Sequence, residues 1–168
     1  NVTDTGTITD ATCYKYQWET TDYVGNVGTF TTGNEYKVDT TIPSTSVSGV
    51  TEASADIYYN SGAKTVYYTT PGSDQNFTVE ASASDVQSGI EKVTFPGINV
   101  TGFTPTTDTD DFTSAYSNQY TISSSATTSP GAKTVTGYNN AALTETDDFT
   151  VTVDLAAPTG SSVGCPST

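Results

Sequence analysis

Residues 12–20 read TCYKYQWET, and every second position from Tyr14 carries a ring: Tyr14, Tyr16 and Trp18 alternate with Cys13, Lys15, Gln17 and Glu19. A period of two puts the three rings on one face of an extended strand and the polar side chains on the other, whereas a helix would scatter them around its axis. The turn sequence DYVGN (22–26) follows, then a second strand near 28–32 with a continuation through 35–38, so the segment is a β-hairpin. DTTIP (39–43) interrupts the pairing, because proline removes a backbone donor and stiffens the chain, and it reads as a linker.

Outward from this hairpin, 44–153 repeats the same grammar. Strands are predicted over 64–69, 76–82, 90–95, 119–123, 133–138 and 149–153. In 76–82, Phe77, Val79 and Ala81 share one face while Asn76, Thr78 and Glu80 share the other. Pro71-Gly72, Ser88-Gly89, Pro96-Gly97, Pro130-Gly131 and Asn139-Asn140 punctuate the runs with turn chemistry. About seven short strands in roughly 110 residues indicate an all-β fold, an antiparallel β-sandwich. DLAAP (154–158) is a second linker.

Composition agrees. Ser and Thr fill 54 of 168 positions, which suits exposed strand faces and turns. Only 33% of residues are hydrophobic, yet eleven Tyr and six Phe supply large apolar areas for a core, so the chain is expected to fold. Nineteen acidic residues face five Lys and no Arg, for a net charge of −14. Such a surface repels nucleic-acid phosphates and anionic membranes, and no transmembrane run is present, so neither nucleic-acid binding nor membrane insertion is expected. Cys13 and Cys165 belong to no C-x-x-C pair, and without His a zinc site lacks ligands; a disulfide in an exported chain is the expectation. A first residue other than Met fits a processed product or a fragment.

An internal repeat organises the chain. YKVDTTIP (36–43) and VTVDLAAP (151–158) both close a hairpin with Val-Asp and then reach a proline. The domains read as a partial unit over 1–39, a complete sandwich over 40–154, and an opening strand over 155–168. Joining 154–168 to 1–39 gives 54 residues bracketed by the two cysteines, a size at which a disulfide helps a small core. The junction can be supplied by a tandem polypeptide or by the tail of one copy completing the head of the next, which is strand addition. Termini meeting within one chain, or missing flanking residues, are the other arrangements.

These motifs resemble bacterial-type Ig-like tandem repeats of large secreted or surface-attached prokaryotic proteins. CYKYQWETTDYVGN (13–26) is similar to that family's CYRYRYTVTDNAGN pattern, KVDTTIP (37–43) to its KVDTTAP linker, SDVQSGIEKVTFPGI (84–98) to DxxSGIxxVTFP, and DLAAPTGSSV (154–163) to DTTAPTGGSV. The resemblance implies Ig-like domains in tandem, acting as stalks, adhesins or envelope fibres. It departs at the head, where family members carry more residues before the CYRYR-like strand.

Catalytic chemistry finds no constellation. No imidazole can activate a Ser or Cys nucleophile, and Asp108, Asp110 and Asp111, or Asp147 and Asp148, are sequence neighbours rather than a spaced acid–base pair. The chain is therefore not expected to be an enzyme. No cofactor is required. Calcium is the one ion whose oxygen-ligand chemistry the chain can offer: Asp39 and Asp154 hold equivalent linker positions, and Asp22, Asn26 and Asp85 sit in turns. The same residues also serve as ordinary turn formers. Asn1, Asn76 and Asn99 head Asn-x-Thr sequons, with Asn76 on the outward face by its alternation. The expected function is an extracellular structural protein, a subunit or repeat of a cell-surface filament, fibre or stalk whose partners are copies of itself; the alternative is an adhesin-type module that binds carbohydrate or a surface protein.

Overall fold

The computed structural model describes residues 6–157 and 159, and among these the regular elements are all β. The first four strands form one long hairpin in two steps. β1 (Cys13–Tyr14) pairs antiparallel with β4 (Tyr36–Lys37), and β2 (Gln17–Thr21) with β3 (Val27–Thr31). The strand expected to run unbroken over 12–20 is thus interrupted at Lys15 and Tyr16. The cause is on the opposite arm: Tyr14 faces Tyr36 and Gln17 faces Thr31, so residues 32–35 oppose only 15 and 16. The extra length is folded in locally. Thr32 donates its N–H to the Tyr16 carbonyl at 2.8 Å, and its Oγ1 accepts the Tyr16 N–H at 3.1 Å.

The remaining strands are β5 (Ser44–Glu52), β6 (Ile57–Asn60), β7 (Thr65–Tyr68), β8 (Gln75–Ser84), β9 (Ile90–Phe95), β10 (Phe103–Thr104), β11 (Thr109–Asp111), β12 (Tyr116–Ile122), β13 (Gly131–Asn139) and β14 (Thr144–Val153). They make a four-stranded sheet, β10-β12-β8-β5, and a six-stranded sheet, β11-β9-β13-β14-β7-β6. All pairs are antiparallel except β14–β7, which runs parallel, a departure from the purely antiparallel expectation. That crossover needs no helix because the chain passes through the other sheet between β7 and β14. β5 was not anticipated: its Ser and Gly residues resemble a turn, yet Thr45 and Val47 alternate inward between exposed serines.

The two sheets enclose one core. Phe77, Val79 and Ala81 of β8 are buried as their alternation demands, with Tyr120 of β12 opposite Phe77 and Tyr116 opposite Ala81, in one core with Val135, Phe149 and Val151 of the other sheet. Aromatic contacts bridge the layers: Tyr120, stacked within its own sheet on Phe77 at 5.1 Å between ring centroids, lies 6.0 Å from Phe149 of the other sheet, and Tyr68 meets Phe103 edge-on at 5.4 Å. Burial pushes the Tyr120 hydroxyl up to about 12, and it donates to the Pro96 carbonyl at 2.8 Å. The sheets approach so closely at Gly137 that a Cβ there would lie 2.1 Å from Thr45 Oγ1.

Edge strands of the core are guarded by side chains. The Val47 N–H of β5 donates to Asp147 Oδ2 at 2.7 Å, and the same carboxylate pairs with Lys64. The Tyr59 N–H of β6 donates to the Glu52 carboxylate. A capped donor cannot template another strand, so these positions resist edge-to-edge association.

Candidate assembly interface

The hairpin carries a two-faced surface. Trp18 and Phe30 are cross-strand partners with centroids 5.6 Å apart, and Tyr16 packs on Tyr36 at 5.8 Å, so four rings form a ribbon. On the other face Lys15 and Glu35 pair at 3.2 Å. Tyr16 and Trp18 thus each find a ring across the hairpin, and Lys15 finds a carboxylate. Every residue of β2 and β3 is nevertheless exposed; Trp18 retains 44% and Phe30 64% of its accessible surface. Among the described residues nothing lies over the ribbon. An isolated two-stranded hairpin is marginally stable in water and needs a third strand or a packed layer. Cys13 is exposed on β1 opposite Lys37, without a disulfide partner among the described residues; Cys165, its expected partner, lies outside them, as does Asn1.

Where the hairpin meets the sandwich, the linker is held rather than free. Asn139, fully buried at the end of β13, sits at the centre. Its Nδ2 lies 3.0 Å from Asp39 Oδ2, 3.1 Å from the Thr41 carbonyl and 3.2 Å from Asp85 Oδ2. Its Oδ1 accepts the N–H groups of Ala141 at 3.1 Å and Leu143 at 2.8 Å, which fixes the orientation of the amide. Asp10 reaches over from the hairpin to accept the Thr40 N–H at 2.8 Å, and Gln87 donates to Thr41 Oγ1 at 2.8 Å and to Asp10 Oδ2 at 3.2 Å. The Thr40 N–H, joined by Thr41, holds the Asp10 carboxyl below the usual carboxylate range. For Asp85, desolvation opposes ionisation, but hydrogen bonds from Asn139 and from the Ser88 and Gly89 N–H groups outweigh it and lower the pKa.

Of the residues considered for calcium, the fold brings Asp39 and Asp85 together, and a hydrogen-bond donor, Asn139 Nδ2, takes the point between them that a cation would share. Asp22 and Asn26 close on each other: Asp22 Oδ1 accepts the Val24 and Asn26 N–H groups and its Oδ2 accepts Asn26 Nδ2 at 2.7 Å, an ordinary turn. Asp154 sits at the opposite end of β14. There its Oδ1 accepts the Ala156 N–H at 3.0 Å, the same local turn that Asp39 makes with the Thr41 N–H at 3.0 Å. The described residues hold no group of three or more His, Cys, Asp or Glu placed for a metal ion. Of the sequons, Asn99 is exposed on a loop, and Asn76 lies half-buried on the outer face of β8 with Thr78 and Glu80, its Oδ1 enclosed without a hydrogen-bond partner.

Asn139, Asp10 and Gln87 are the joint residues the sequence reading missed. Asn139-Asn140 carried only a turn signal, and no periodicity distinguishes an asparagine that caps its own turn from one that also clamps a neighbouring segment. No family model, curated protein or solved structure matches this chain.

Proposed function

We propose that this chain is a structural component of the cell exterior, a subunit or repeat of a filament, fibre or stalk in which Ig-like units succeed one another head to tail. The observation that carries the reading is the uncovered aromatic ribbon of Tyr16, Trp18, Phe30 and Tyr36, beside a sandwich whose own core is closed. A sheet with one apolar face exposed is half of a layered fold. The tail residues 155–168 of a neighbouring copy or repeat add a strand at the hairpin's edge, leaving the ring face for a packing layer, and a Cys13–Cys165 bond fastens it. The clamp at Asn139 suits a joint between units, since a linker tied by side-chain hydrogen bonds transmits orientation from one unit to the next. The acidic, Ser- and Thr-rich surface keeps such an assembly soluble and separated from anionic neighbours.

Negative-stain microscopy of oxidised, concentrated protein tests this. Regular fibres of uniform width, dissolved by reductant, are expected. A monodisperse monomer at every concentration, oxidised or reduced, overturns the proposal.

A further inference from the structure

At the exit end of the sandwich a second aromatic surface stands open. Tyr58 of β6 and Tyr67 of β7 are cross-strand partners on the outer face of the six-stranded sheet, stacked at 6.4 Å with planes 23° apart, and Tyr58 is 62% exposed. They line a groove of about 420 Å³ together with Asp56, Asn60, Thr69 and Asp154. Two carboxylates and no described Lys border it.

We infer that this groove is the seat for the hairpin of the next copy, docking Tyr16, Trp18, Phe30 and Tyr36 of one chain against Tyr58 and Tyr67 of another; the inference rests on the head-to-tail reading and names its contact surface. Three observations select this occupant. The hairpin joins its own sandwich at the Asn139 end of β13, whereas the groove lies beside Asp154, at the far end of the adjoining ten-residue β14. At about 3.3 Å per residue the ends are roughly 30 Å apart, and no described contact links ribbon and groove within the chain. A contact between unlike ends is heterologous, and its repetition propagates an open filament rather than a closed dimer. The chain leaves the sandwich at Asp154 inside the groove, so the tail that completes the next hairpin starts where that hairpin docks. One cation on the net-acidic hairpin is also unspent: Lys37, exposed on β4, has no carboxylate within ion-pair reach among the described residues, and the groove offers it Asp56 and Asp154. Competing docking at the guarded positions of β5 and β6 is blocked by Asp147 and Glu52.

Trp18 is the only tryptophan, so its emission reports the covering of the ribbon. Sedimentation velocity and Trp emission across a concentration series of the full chain are compared for wild type, Tyr58→Ser/Tyr67→Ser, Tyr58→Phe/Tyr67→Phe and Asp56→Lys/Asp154→Lys. Wild type and the Phe pair should associate with a blue shift. The Ser pair and the charge reversal should associate at least about tenfold more weakly, without the shift, while keeping the wild-type melting temperature. Should the Ser pair fail to fold, the charge reversal decides. Association and blue shift equal to wild type in the folded Ser or Lys variants overturn the groove as the seat and leave head-to-tail assembly standing. A wild type that neither associates nor shifts overturns both.

Discussion

Replacing Asn139 tests whether the joint is a clamp. Its side chain satisfies the Ala141 and Leu143 N–H groups through Oδ1, and through Nδ2 the Thr41 carbonyl and the carboxylates of Asp39 and Asp85. Asn139→Ala leaves two amides and a carbonyl without partners; at about 1 kcal/mol each the loss is about 3 kcal/mol, or roughly 6–12 °C in melting temperature for a chain of this size. Asn139→Asp discriminates further. It keeps the acceptor for Ala141 and Leu143 but replaces the donor with an anionic oxygen facing two carboxylates. The new carboxyl is held protonated in the folded state, so its folded pKa is raised. Its protonated form is fully tolerated below its unfolded pKa, and stability is lost as pH rises through the folded value. The native chain behaves oppositely: Asp10 and Asp85 have lowered pKa values, so their contribution is present above the usual carboxylate range and lost on acidification. Urea unfolding followed by circular dichroism between about pH 4 and about pH 8 should therefore show a deficit for Asn139→Asp that is large at neutrality and narrows in acid. A variant as stable as wild type at neutral pH, or a deficit that widens in acid, would refute the clamp.

Other outcomes follow from the same geometry. Phe149→Ala, which opens a hole beside Tyr120 in the sealed core, should cost about 3–5 kcal/mol in denaturant unfolding. Gly137→Ala adds a methyl where Thr45 Oγ1 already stands and should cost about 1–3 kcal/mol, recovered in part by Thr45→Ala, which removes that oxygen; a double variant no more stable than Gly137→Ala would refute the contact. Expressed in a glycosylating host, the chain should carry sugar at Asn99, which is exposed on a loop; intact-mass and peptide mapping decide it, and an unmodified Asn99 would contradict its accessibility.

The parts of the fold legible in the sequence are those written in side-chain alternation. Phe77, Val79 and Ala81 predict their own burial, and Tyr16 and Trp18 find ring partners across the hairpin even though the ladder breaks between β1 and β2. A break of that kind depends on the partner arm, where residues 32–35 outnumber their opposites, and local reading cannot see the partner. β5 was missed because serine strands carry no hydrophobic signature; what makes it a strand is eight register partners on β8. The parallel pairing of β14 with β7 is likewise a consequence of layer order. The sequence offers its acidic residues as calcium candidates or ordinary turn formers, but which of them converge is set by tertiary contact: Asp39 meets Asp85, a residue 46 positions away, because Asn139 draws both to one amide. Asp39 and Asp154 repeat one local turn, as their shared Val-Asp context foretold, at opposite ends of the sandwich.

Equal amounts of unlabelled and nitrogen-15-labelled chain, unfolded and reduced together and then oxidised while refolding, are digested without reductant and read by mass spectrometry. If copies complete one another, the peptide pair joining Cys13 to Cys165 will appear with mixed labels in about half of the linked species, the proportion random pairing between copies gives. A Cys13–Cys165 pair of uniform label only, or free thiols at both positions, would mean that each hairpin is closed from within its own chain or left open, and the head-to-tail account would fall.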